Sequence, residues 1–413
     1  MKTIYTLFIV CFLNSFNLES QTFIQKADFP GGIKWNNISF TIGDNIYTGG
    51  GLDTSTFKLD LWEYNTSSNV WTQKADLPSK LSLETSCELN GNAYVGLAWD
   101  GTKALKDWWQ YNAGTDIWTK KADFPGKPRY SASSYAWNNE IYIIGGADYD
   151  TASNTGNTFN DIWKYNPGND NWIKLDTFPG ASRQSAYSLI SNKKLYIGFG
   201  GTADLGSIYS DMFSYDLENK TWKSLASFPS LPSEPSGLVN FAGIYNNNII
   251  LIDIDWAVSA PNDYNNIYVY DINQDEWTIY KMANPSPWRV LGFGEVVGNK
   301  GYLGSGYDYE FDVWYNDTWE IDLAKVATAV ENQFPEYADI KLNSTTRNIH
   351  IELPEKLWEH SQLLIQTIDG KILKHYALGN VTDIDLSIFP VGPYIWSIKK
   401  EEVLIKSGRV IRM

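Results

Sequence analysis

The sequence predicts an all-β chain: a ring of six four-stranded sheets closed by an N-terminal strand, then a small β-sandwich. Three observations carry this. Trp, Tyr and Phe make up 15% of the 413 residues and Gly is plentiful, a composition suited to strands and tight turns. Runs with helical periodicity are scarce. A Tyr–Trp pair with a separation of seven recurs as Tyr64/Trp71, Tyr111/Trp118, Tyr165/Trp172, Tyr215/Trp222 and Tyr270/Trp277. Between pairs the spacing varies from 47 to 55. A constant core with variable inserts marks a stacked repeat whose extra residues fall in loops.

The first segment reads as a secretory signal over residues 1–20, with Lys2, the apolar run "TIYTLFIVCFL" and the polar "NSFNLES" before Gln21. "FIVC" lacks the small residue of a lipobox, so Cys11 does not read as a lipidation site. After cleavage Cys87 would be the remaining cysteine, which leaves no intrachain disulfide. No later stretch has the length of a membrane span. The net charge of −15 argues against nucleic acid or an anionic membrane as partner.

Within each repeat, β-rich runs such as "NIYTGGG", "EIYIIGG" and "KGYLGSG" precede the Tyr, and "NTSSN", "NAGTD" and "NPGND" separate Tyr from Trp. Each unit is then four antiparallel strands, A to D, with the glycines on B, the Tyr on C and the Trp on D. The last unit, "NDTWEID", has Ile321 in place of Tyr and ends before a D strand. "TFIQKADFP" at the other end sets Phe23 seven residues before Pro30, as Trp71 stands before Pro78. Residues 22–27 are therefore expected to supply the missing strand and remove an open edge. A closing strand tolerates a smaller anchor than Trp.

Paired glycines, then Tyr, then Trp at roughly 50-residue periods resemble kelch repeats, over residues 21–324. The resemblance implies a six-bladed kelch propeller of the kelch/galactose-oxidase-like superfamily. Copper-radical chemistry is disfavoured, because His350, His360 and His375 all lie beyond the repeats. No metal or cofactor is expected, and a hydrolase triad lacks its histidine for the same reason.

The repeats hold three arginines, and each stands four residues after a proline: Arg129, Arg183 and Arg289. Lys34 fills that slot in the first unit, and Ser82 and Ser233 in the second and fifth. Four cations opening the innermost strands would focus positive potential at the channel mouth, and guanidinium forks suit carboxylates. Trp99, Asp100, Asp148, Tyr149, Trp256, Asp263, Tyr307 and Tyr309 are expected in the B–C loops at the same mouth, a mixture that resembles sugar-binding surfaces. A structural role for the arginines, bracing the hub, is the alternative. One kelch group, the secreted N-acetylneuraminate epimerases, implies an enzyme instead. For such a mutarotase the acid–base candidates are Glu84 and Glu295, each on an innermost strand.

Residues 325–330 form a short joint, and from Glu331 the aromatic spacing stops. "RNIHIEL", "QLLIQTI", "KILKHYA", "TDIDLSIF", "GPYIWSIKK", "EEVLIKSG" and "RVIRM" read as short strands of an Ig-like β-sandwich over residues 331–413. "IQTIDGKIL", "IDLSIFPVGPYIWSI" and "SGRVIRM" resemble, in order, the C-terminal (Por) sorting domain of type IX secretion cargo from Bacteroidetes. "FPEYADIKL" stands where that domain usually has a "PNP"-like segment. The resemblance implies export by the type IX machinery to the cell surface or medium. There a monomeric propeller would bind an extracellular anionic glycan or protein.

Overall fold

The computed structural model describes residues 23–53, 56–150, 155–203, 207–228, 235–256, 266–281, 289, 292–308, 313–326, 341–344, 348–353, 361–367, 372–379, 381–400 and 403–412. The proposed signal segment, Ser233, Asp263, Tyr309 and residues 327–330 of the joint lie outside the described residues. The described chain is antiparallel β, with short helical turns at residues 323–326 and Leu386–Ile388. Four consecutive sheets have four strands each. They are Ile38–Ile42, Asn45–Gly49, Leu61–Asn65 and Val70–Lys74; then Thr85–Leu89, Asn92–Gly96, Trp108–Asn112 and Ile117–Lys120; then Ser133–Trp137, Glu140–Ile144, Asp161–Asn166 and Asn171–Thr177; then Tyr187–Ser191, Lys194–Gly198, Met212–Asp216 and Thr221–Leu225. A fifth group, Pro235–Tyr245, Asn248–Trp256, Asn266–Asp271 and Glu276–Lys281, continues into a larger sheet. The first strands of successive groups touch one another, and Phe293–Val297 touches Ile38–Ile42, so the innermost strands meet in a cycle.

The expected closure is observed. Phe23–Gln25 pairs antiparallel with Thr318–Asp322, as the outer strand of a sheet completed by Lys300–Gly304 and Phe293–Val297. Phe23 stands opposite Ile321, the register that Trp71 and Tyr64 share in the first sheet. Both residues are buried. Glu320, 3% exposed, fastens the join: its carboxylate pairs with Lys26 of the closing segment at 3.0 Å and with Lys300, and accepts from the Tyr302 hydroxyl at 3.2 Å.

The seven-residue spacing is the geometry of a hairpin. Each Tyr faces its Trp across strands C and D, with ring centroids 4.6 to 5.1 Å apart. At four joints the turn between them also clamps the preceding sheet. Asn69, Asp116, Asp170 and Asp275 adopt left-handed backbone, φ 50 to 59°, where Asn and Asp are tolerated. Each accepts from its own Tyr hydroxyl, and from the backbone N–H of Ala27, Ala75, Ala122 or Ala226 where the previous outer strand ends. The Trp indole donates to the carbonyl of that same alanine, at 2.9 to 3.2 Å. The recurring "KAD" phrase is the partner for this clamp. In the fourth sheet Lys220 and Asp176 occupy the two positions instead.

The glycine pairs have separate causes. A Cβ on Gly49 would lie 2.0 Å from the Asp60 carbonyl oxygen, so no side chain fits there. Gly50 has φ +57°, a left-handed conformation.

In the tail, Lys341–Ser344, Asn348–Glu352 and Val381–Asp385 form one sheet. Ser361–Thr367, Ile372–Ala377, Gly392–Lys400 and Val403–Arg412 form the other. Ile349, Ile351, Leu363, Ile365, Leu386, Trp396 and Ile398 share one core between them. The final two expected strands run as one, Val403–Arg412, and Ser407 pairs with Trp277 on the outer strand of the fifth group.

Burial opposes ionisation of Glu320, but the hydrogen bonds and charges of Lys300 and Lys26 outweigh it and hold its pKa below the usual 4.5. Such a group contributes stability above its unfolded pKa and loses it as pH falls through the folded one. Glu320→Gln should cost about 1.5–3 kcal/mol at pH 7, with a smaller difference at pH 3. Urea unfolding at the two pH values measures this; an equal cost at both would remove the electrostatic fastening.

Candidate functional site

The four cations are not open to a ligand, which corrects the expectation for Lys34, Arg129, Arg183 and Arg289. Each is 1 to 2% exposed. Arg129 grips Asp161 with both terminal nitrogens, at 2.7 and 3.2 Å, and donates from Nη1 to the Gly145 carbonyl at 2.7 Å. Arg183 holds Asp211 at 2.6 and 2.8 Å, the Phe199 carbonyl at 2.9 Å and, through Nε, the Ala181 carbonyl at 3.0 Å. Arg289 repeats the pattern on Asp317 and the Ser305 carbonyl, and Lys34 reaches Asp60. Phe124 and Phe159 flank the Arg129 guanidinium at 4.6 and 4.3 Å. Burial works against the ionised Asp161 carboxylate, yet the hydrogen bond and charge of Arg129 outweigh it and hold its pKa below the ordinary value. These buried, paired guanidinium forks brace the inner corners of the three sheets that carry them and leave little for a ligand to take.

The aspartates were missed by the sequence reading, and a local signal marks them. Each stands at the start of strand C or immediately before it, two residues ahead of an aromatic, and three of them also accept that indole N–H: Trp62, Trp163 and Trp319 at 2.8, 2.6 and 2.7 Å. In the second sheet the buried Leu81, one residue before Ser82, stands in the structural place of the cations, and Asp107 pairs with Lys120 instead.

The two glutamates do come together. The D–A and B–C segments share one end, bridged at Trp35/Leu52, Ser82/Trp99, Tyr130/Ala147 and Gln184/Gly201. From there the chain turns inward through left-handed Asn36, Leu83, Ser131 and Ser185. Ser131 N–H donates to Leu83 O and Ser185 N–H to Ser131 O, which ties the entry points into an arc. Below it, Ser86 donates to the Ser39 carbonyl, Ser134 to Ser86 and Ser188 to Ser134. Inside lies a cavity of about 260 Å³, lined by Asn36, Asn37, Ser39, Glu84, Tyr187 and Phe293 among others. Glu84 Oε1 accepts from the Ser39 N–H at 3.1 Å, and Glu295 Oε1 accepts from the Ser39 hydroxyl.

Both carboxyls are partly accessible but walled by protein. Burial raises each pKa to about 7, and the charge of Glu295 adds to the rise at Glu84. Burial, then Glu295, also raises the Tyr187 hydroxyl. Cys87 has its thiol pushed up to about 12 by burial, which makes it a poor nucleophile.

The expected aromatics split into two groups. Trp99 packs edge-on against Tyr130 and Tyr149, at 5.6 and 6.4 Å. Tyr307 packs against Trp314 and Trp35, at 4.6 and 6.3 Å. Asp148 accepts from the backbone and side chain of Asn157 within a hairpin, and Asp100 from Thr102 and Lys103 in a turn. Trp256 ends its strand opposite Pro235. Among the described residues no three His, Cys, Asp or Glu side chains gather as a metal-binding group.

Residues 121–252 match the family described as the KLHDC2/KLHL20/DRC7 Kelch-repeats domain. A solved structure titled "Structure of YjhT" superposes with a TM-score of 0.57, at 17% identity, over 71% of this chain and 95% of that one. No curated protein sequence matches significantly. Residues 121–252 match kelch repeats, and the chain has the fold of a kelch-type β-propeller.

Two outcomes follow. Arg183→Ala strands Asp211 and should cost about 3–5 kcal/mol in urea unfolding. Lys193→Ala, at an exposed pair, should stay within about 0.5 kcal/mol. For Glu84 and Glu295 the sign is opposite to that of Glu320. Their folded pKa lies above the unfolded 4.5, so their contribution is full below pH 4.5 and lost as pH rises through about 7. Glu84→Gln should flatten the fall in urea midpoint between pH 5 and 8; an unchanged slope would discount the raised carboxyl.

Proposed function

We propose that this chain is an exported, six-bladed kelch propeller that binds a monosaccharide-sized, hydroxyl-rich ligand in its central channel. The observation that carries this reading is the cavity lined by Glu84 and Ser39, with Glu295 also anchored on Ser39. At about 260 Å³ it lies near the small end of ligand sites, which suits one sugar ring better than a chain. Carboxylates, serine hydroxyls and asparagine amides are the groups that meet sugar hydroxyls. A protein ligand would need a broader surface. Residues 1–20 as a signal and 331–413 as an Ig-like type IX sorting domain support a place outside the cell or on its surface.

A second reading makes the cavity catalytic, as a sugar mutarotase resembling N-acetylneuraminate epimerase. It is favoured by two adjacent carboxyls that titrate near neutral pH. One could protonate the ring oxygen while the other accepts the anomeric proton.

Saturation-transfer NMR with a monosaccharide panel tests the first reading. Glu84→Gln and Glu295→Gln should each weaken the bound sugar about tenfold, and unchanged binding in both would move the site elsewhere. Anomer exchange of N-acetylneuraminate, followed by NMR, tests the second. Acceleration lost on either substitution supports it, and no acceleration over buffer rejects it.

A further inference from the structure

The channel cavity holds more acceptors than the protein satisfies. The Oδ1 atoms of Asn36 and Asn37 are buried and have no hydrogen-bond partner among the described residues. Asn37 is itself only 7% exposed, and both residues line the cavity. Glu84 lines the cavity and Glu295 meets it at Ser39, so two carboxyl groups share a single serine. An unsatisfied buried acceptor costs free energy that a donor recovers.

The protein supplies no cation there. None of the lining residues is Lys, Arg or His. The cations nearest in sequence to the inner strands, Lys34, Arg129, Arg183 and Arg289, are committed to their own aspartates. The remaining propeller segments, 54–55, 151–154, 204–206, 229–234, 257–265, 282–288, 290–291 and 309–312, contain no basic residue in sequence. They contribute Asp204, Glu234, Asp263, Glu310 and Asp312. A net charge of −15 draws cations and repels anions at long range.

We propose that the channel takes a sugar or polyol bearing a protonated amine, with the ammonium seated between Glu84 and Glu295 and the Asn36 and Asn37 carbonyls. An ammonium offers three donors and no acceptor, the complement of this wall. Charge-assisted hydrogen bonds to carboxylates are roughly twice as strong as neutral ones. The ring hydroxyls face Ser39, Ser131 and Ser185. This inference rests on the channel being the binding site, and it names the ligand class.

Titration calorimetry at pH 7 with glucosamine, N-acetylglucosamine and N-acetylneuraminate tests it on the full chain, with melting curves to verify folding of each variant. Glucosamine should bind about tenfold or more tightly than N-acetylglucosamine, whose amine is blocked. Glu84→Gln and Glu295→Gln should each abolish that preference. Equal affinity for the two sugars, both weakened by Ser39→Ala, would overturn the amine while keeping the channel. Tighter binding of N-acetylneuraminate would also overturn it. Binding of any probe that ignores all three substitutions, or no binding at all, would remove the channel reading and this inference together.

Discussion

The hydrogen bond from a tryptophan indole to an alanine carbonyl in the preceding sheet is the contact on which the ring depends. Twisted four-stranded sheets have two apolar faces and no other way to bury them than against each other. Area alone does not set the angle between neighbours. The clamp does, because it fixes two atoms of Ala27, Ala75, Ala122 or Ala226 against one left-handed turn of the next sheet. Inserts in the B–C loops leave it untouched, which is why the repeat length drifts while the Tyr–Trp spacing does not.

That constancy explains what was legible. Seven residues from Tyr to Trp is a local hairpin, fixed by turn geometry, and every copy prints it. Closure was legible because Phe23 and Ile321 keep the same offsets as Trp71 and Tyr64. The partners of the arginines were harder to see. Arg129 and Asp161 are 32 residues apart, Arg183 and Asp211 28, and Lys34 and Asp60 26, since the variable insert lies between them. With the aspartate unrecognised, an arginine at the channel end reads as a ligand contact. The aspartate's own position, two residues ahead of an aromatic at the start of strand C, does not vary.

The two kinds of charge at the hub obey different physics. An Arg–Asp pair buried with its hydrogen bonds complete is neutral as a unit and inert toward solutes. A carboxyl held by one serine, with no counter-charge beside it, keeps its desolvation cost. Its pKa rises, and any cation that reaches it relieves that cost. The difference lies in the partner, not in exposure: Glu84 and Glu295 are only partly accessible too.

Position in the ring sharpens the point. The second sheet has Leu81 where the first, third, fourth and closing sheets have a sequestered cation, and three residues later it carries Glu84. The equivalent residues are Asn37 in the first sheet, Ala132 in the third, Ala186 in the fourth and Gly292 in the closing sheet. Among the sheets whose entry is described, the one without a bracing pair is thus the one whose entry to the channel bears a carboxyl. Glu295 enters from the closing sheet three residues further along its inner strand, and Ser39 of the intervening first sheet joins the two. A repeat fold gains a site by breaking its own repetition, and here the break spans three neighbouring sheets around the closing strand.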